Sequence, residues 1–189
     1  MKLIFSAIII ASLIASAFAG EKIAPIRSLA LKSKTLSTRK TNSSNWKTDY
    51  GSYDRDTSRQ KSIEYTVRNF SKDPAPEVIV TTYWLVTYAW DKELSLYQKD
   101  VQKYDIEPGT TVEAEILSPE TRQNEMKLVA IGEHWKEGAR MEGYVVAIKY
   151  QGEFGETFAS TSKLRDLARN PEKLEKMKAE TKSEPPPSR

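Results

Sequence analysis

The chain has 189 residues, with 29 Lys+Arg against 26 Asp+Glu, one His and no Cys. The lack of Cys excludes disulfides and a lipid-modified amino-terminal Cys. A single imidazole without thiols excludes the usual ligand sets for transition metals, and interleaved acids and bases leave no basic face for a nucleic acid.

The first element is a targeting segment. Met1-Lys2 carries one positive side chain, and Leu3 to Ala15 is apolar apart from Ser6 and Ser12. Ala17-Phe18-Ala19 follows as a small-x-small cleavage pattern before Gly20. This order predicts a signal peptide over 1–19 and an exported chain, periplasmic or secreted. The apolar run is shorter than the ~20 residues of a spanning helix. No second apolar run follows, so neither a membrane span nor a lipid anchor is expected.

Residues 20–44 form a basic, Ser/Thr-rich leader. Leu29 and Leu31 there could pair as a first strand over 28–36; the alternative is a flexible arm. Residues 45–55 bring Trp46, Tyr50 and Tyr53 among turn formers. From Lys61 onward, Ile63, Tyr65 and Val67 alternate with Glu64, Thr66 and Arg68. Period two predicts a half-buried antiparallel strand. Pro74 and Pro76 then break the chain, since neither can donate to a ladder.

Val78 to Trp90 is rich in β-branched and aromatic residues, and both of its alternating sets are apolar. That fits a central strand covered on its outer face, or a strand whose second face is an interaction surface. Residues 93–104 read as a more exposed strand or strand pair. Pro108-Gly109 is placed for a type II turn, and Val112, Ala114 and Ile116 alternate with acids beyond it. Residues 118–127 read as polar loop, 126–132 as a further strand and 132–140 as a long exposed loop. Gly143 to Tyr150 reads as a buried strand turning at Gly152 into a final hairpin partner.

The period then changes. Leu164, Leu167, Leu174 and Met177 lie on helical spacing, with Asn170-Pro171 as an N-cap and first helical position. The expected organisation is therefore a leader at 20–44, a β-sandwich domain at 45–161, a helical segment at 162–180 and a Pro-rich tail at 181–189. The fold class is mainly β: an antiparallel immunoglobulin-like β-sandwich with a short C-terminal helix.

Several stretches carry a resemblance: W-K-T-D-Y-G-S-Y at 46–53, V-R-N-F-S at 67–71, the aromatic strand through Trp84, G-Y-V-V at 143–146, and L-A-R-N-P-E-K-L at 167–174. In these the chain resembles uncharacterised exported bacterial proteins with one immunoglobulin-like or fibronectin-like sandwich and a short C-terminal helix. The resemblance implies architecture and brings no activity, cofactor or catalytic residue.

No catalytic constellation stands out. A Ser-His-acid triad would have to use His134, and no nucleophile elbow is present. Asp49, Asp54 and Asp56 lack calcium-loop spacing. No cofactor is expected. The informative surplus is aromatic: Trp46, Tyr50, Tyr53, Tyr83, Trp90 and Trp135 are the candidate contacts for a protein, envelope-polymer or glycan partner. The plainer reading is that half of the aromatics fill the core and the rest cover sheet edges. The function expected is an exported, non-catalytic binding or structural module acting through a sheet face or edge. The alternatives are a carbohydrate-binding module using Trp and Tyr, or a carboxylate-based hydrolase of envelope polymers or polysaccharide.

Overall fold

The computed structural model describes residues 22–43, 52–128 and 131–177. The expected signal peptide, the tail at 181–189, Trp46 and Tyr50 lie outside these residues. Among the described residues the strands are β1 (Leu29–Ser43), β2 (Ser52–Asn69), β3 (Ala75–Tyr88), β4 (Asp91–Ile106), β5 (Thr111–Leu117), β6 (Thr121–Leu128), β7 (Glu133–Tyr150) and β8 (Glu153–Ala159). Two short helices follow, α1 (Arg165–Ala168) and α2 (Pro171–Lys176). The chain is mainly antiparallel β with short helices near its C-terminal end, the class its strand pattern predicts. No described helix is long and apolar enough to cross a membrane.

The ladders run in the order β1-β2-β6-β7-β3-β4, with β5 on β2 and β8 on β7. Two long strands turn this path into facing layers. β2 pairs with β6 through its first half and with β5 through Ser62–Arg68. β7 pairs with β6 up to Gly138, then joins β3 from Ala139 onward. One layer is thus β1, the second half of β2, and β5; the other is β4, β3, the second half of β7, and β8.

Between the layers lies the main core. Ile63, Tyr65 and Val67 of β2 meet Val78, Val80, Trp84 and Val86 of β3 and Tyr144, Val146 and Ile148 of β7. Each such side chain removed from water contributes about 1.5–3 kcal/mol. Two of the polar groups carried inward find partners on β4, while the buried Thr82 and Tyr150 hydroxyls have none among the described residues. The Trp84 indole N–H donates to the Asp100 carboxylate, which also accepts from the Gln98 amide at 2.8 Å. The Tyr65 and Tyr104 hydroxyls lie 2.7 Å apart. On the opposite side, the Leu31 amide donates to Glu156 Oε2 at 2.6 Å, so a carboxylate from β8 occupies part of the β1 edge.

The outer face of the second layer carries a second core. Tyr83, Leu85 and Leu96 with Val145 and Ala147 pack under Leu164, Ala168 and Leu174. This explains why both alternating sets of β3 are apolar. It also decides between the options read from the sequence at Tyr83 and Leu85, where the second face of 78–90 is covered by the chain's own C-terminal segment.

Of the two options for residues 93–104, the single strand forms, β4. Other expectations change. Of residues 118–127 only 118–120 are loop, because β6 occupies Thr121–Leu128, and the strand expected over 126–132 gives way to a turn at Ile131–Gly132. Residues 132–140 are not a long loop, since β7 begins at Glu133. Both segments are mostly polar, with Met126 and Trp135 as isolated large apolar exceptions, so the apolar alternation that reveals a half-buried strand is missing. The Pro108-Gly109 turn forms as read, with Gly109 at φ +71° and the Thr110 amide donating to the Glu107 carbonyl at 3.2 Å.

Candidate interaction surface

The first half of β2, β6 and the first half of β7 form a ribbon that leaves the sandwich, with the end of β1 pairing along its β2 edge from Arg39↔Gln60 to Ser43↔Asp56. Among the described residues, neither hydrophobic cluster includes a residue of this ribbon. Cross-strand partners share a face, so the register assigns its side chains. Asp54, Met126 and Trp135 form one row, and Asp56, Asn124 and Glu137 form the next on the same face. Arg55, Glu125 and Lys136 form a row on the opposite face, next to Lys127 and His134.

Trp135 is 44% exposed and Met126, directly across the ladder, is 37% exposed. Beside them, the Asn124 amide donates to Asp54 Oδ1 at 2.7 Å and to Asp56 Oδ1 at 2.9 Å, bridging the two carboxylates. On the other face, His134 Nε2 lies 2.6 Å from Glu125 Oε1, and Lys136 Nζ lies 3.5 Å from the same oxygen. Burial pushes the Glu125 carboxyl up, but the His134 hydrogen bond and the Lys136 and Lys127 charges outweigh it. The group is held below its ordinary value.

The aromatic candidates divide. Tyr53 belongs to β2 at the register of Lys127. Tyr83 is fully buried and is removed from the candidates. Its ring faces the helices, its hydroxyl donates to Glu175 Oε1 at 3.1 Å, and Lys99 Nζ stands 5.6 Å from its centroid. Trp90 is 40% exposed and stacks on Tyr88 with centroids 5.0 Å apart. The Ala89 amide donates to the Gly138 carbonyl at 3.1 Å, so the turn bearing Trp90 is fastened to the root of the ribbon. Trp90 and Trp135 therefore belong to the same end of the molecule. Sequence reasoning missed Met126, whose partnership with Trp135 depends on a hairpin that the polar composition hid.

Elsewhere, a groove of about 950 Å³ runs between β8 and the helices, lined by Phe154, Thr157, Arg169, Glu172, Glu175 and Lys149. Lys149 Nζ is already engaged there, 4.0 Å from Glu175 Oε2 and 5.1 Å from the Phe154 centroid. A smaller hollow of about 380 Å³ sits over Ile79 between Lys103 and Lys149. Among the described residues, no group of three or more His, Asp or Glu side chains could hold a metal ion.

Fold and surface together define a mainly antiparallel β-sandwich protein, closed on one outer face by short helices and extended by an uncovered ribbon. No protein-family model and no curated protein matches the chain. Among solved structures, the X-ray structure of Northeast Structural Genomics Consortium target SoR45 is similar at 16% identity and a TM-score of 0.29, covering 60% of this chain and 83% of that one. A putative ApaA protein from Bordetella pertussis is similar at 12% identity and a TM-score of 0.24, covering 62% of this chain and 94% of that one. At these scores neither bears on fold or function.

Proposed function

We propose that this is an exported, non-catalytic binding or structural module that engages a protein or envelope partner through the Trp135 face of its ribbon. The amino-terminal pattern through Ala19 supports export. The observation that carries the binding reading is the Trp135–Met126 pair, two large side chains side by side on a strand surface that packs against no described part of the core. Burying an indole at the centre of a contact is among the largest single contributions to association.

The test is retention of envelope components by the mature chain. Saturable retention that falls at least tenfold in Trp135→Ala, with unchanged circular dichroism, is the expected result. Equal retention by wild type and variant would overturn the reading.

A glycan partner is the second reading. Trp135 lies beside the Asp54–Asn124–Asp56 bridge, and Trp90 sits at the same end. An indole next to carboxylates and an amide suits a sugar ring, which stacks on the first and hydrogen-bonds the others. Glycan-array binding lost in both Trp90→Ala and Trp135→Ala would favour it over a protein partner. An array without signal removes it.

A further inference from the structure

We infer that the partner of the Trp135 face is the opposite ribbon face of a second copy of this chain, so that copies add head to tail. The inference rests on reading the ribbon as the binding surface, and it names the partner of that surface.

The two faces are opposite in charge over the same three rows. One presents Asp54, Glu133 and Glu137 around Trp135 and Met126, and no base stands in those rows among the described residues. The other presents Arg55, Lys127 and Lys136, and stays net positive with Glu125 included. Because the same strands make both faces, the rows of cations and acids have the same spacing and the same span. Sheets stack face to face about 10 Å apart. At that separation the aliphatic stems of Arg55 and Lys136 of one copy can cover Met126 and Trp135 of the next, with the cationic heads over the indole and the acids.

Like faces repel, which disfavours a two-fold symmetric contact through either one. A contact between unlike faces is heterologous, and it leaves one face of each terminal copy unfilled, so growth continues into a chain or closes into a ring. Three strands ~4.8 Å apart and about six residues long give a patch of roughly 300 Å² per copy. That is well under the ~800 Å² a side of a standard interface. Assembly is therefore weak, concentration-dependent and sensitive to salt.

The experiment is sedimentation velocity of the mature chain from about 10 µM to about 1 mM, the range in which weak contacts populate. The expected result is a weight-average sedimentation coefficient that rises with concentration and returns to the monomer value in ~0.5 M salt, where charges are screened. Lys136→Glu and Glu137→Lys should each stay monomeric alone, and an equimolar mixture of the two should associate again. Arg55→Glu replaces Lys136→Glu if circular dichroism shows that variant misfolded. A wild type that stays monomeric throughout would overturn the inference, as would association that survives salt or the single charge reversals. If the wild type stays monomeric while Trp135→Ala abolishes envelope retention, the binding reading stands and only the self-association falls.

Discussion

Gly138 sits where β7 leaves β6 and joins β3, at φ +88°. A Cβ built there would stand 2.2 Å from the carbonyl oxygen of Arg122, a backbone atom that cannot swing aside. Gly109 shares the left-handed backbone, at φ +71°, but a Cβ there would meet nothing within 4 Å. The two positions separate conformational cost from steric cost. Gly109→Ala is expected to lose about 1–2 kcal/mol for the left-handed conformation alone. Gly138→Ala adds the clash and is expected to lose about 3 kcal/mol or more. Urea midpoints at constant slope read the difference, and equal shifts would show that the corner at Gly138 relaxes freely. Only half of this was legible in the sequence. Pro108-Gly109 announces its turn through composition, whereas Gly138 stood in what read as loop, and its role depends on a carbonyl 16 residues away. Trp84 is similar: a core Trp is easily guessed, but its partner Asp100 depends on the register shift between Trp84 and Leu85 in the β3–β4 ladder.

At the level of elements, α1 and α2 have four and six residues, far below the length at which an isolated helix holds together. Their stability is borrowed from the sheet. Leu164, Ala168 and Leu174 are buried on it, and Glu175 is clasped by the Tyr83 hydroxyl at 3.1 Å and Lys99 Nζ at 3.3 Å. Burial alone would raise the Glu175 carboxyl, but Tyr83, Lys99 and Lys149 outweigh it and hold the group below its usual 4.5. A depressed folded value means the clasp stabilises the docked helix above the unfolded pKa and loses that contribution as pH falls through the folded one. Amide protection across 165–176, the intrinsic exchange rate at each pH divided by the observed one, is therefore expected to fall on acidification below about pH 4.5, where unperturbed Glu carboxyls titrate. Glu175→Gln should show lower protection at neutral pH and little further loss in the acid window. An unchanged acid response in that variant would place the switch on another group. The helical region was legible because Leu164, Leu167, Leu174 and Met177 keep helical spacing. The ribbon strands were not, because a strand covered on neither face carries no apolar alternation for a reader to find.

The whole molecule is organised around β3, which is buried on both faces. One face belongs to the core between the layers and the other to the helices. The double-sided apolar run was visible in the sequence, but its cover could not be chosen between the chain itself and a partner. The missing information was tertiary: which stretch of chain returns across the outer face. The assignment predicts what removing that cover does. A chain of residues 20–160 lacks Leu164, Ala168 and Leu174, and so uncovers Tyr83, Leu85, Leu96, Val145 and Ala147 together. These side chains form one contiguous patch on the outer face, and monomeric proteins rarely leave such a patch in water. The layers keep their mutual core, so strand content by circular dichroism should persist. The truncated chain should nevertheless bind a hydrophobic dye and scatter light at concentrations where the full chain does not. Leu174→Ala is the milder lesion, expected to cost about 2–5 kcal/mol through the void it leaves, without opening the whole face. A truncated chain as soluble and dye-silent as the parent would mean that the outer face finds another cover. The helices would then be an accessory to the sandwich rather than part of its second core.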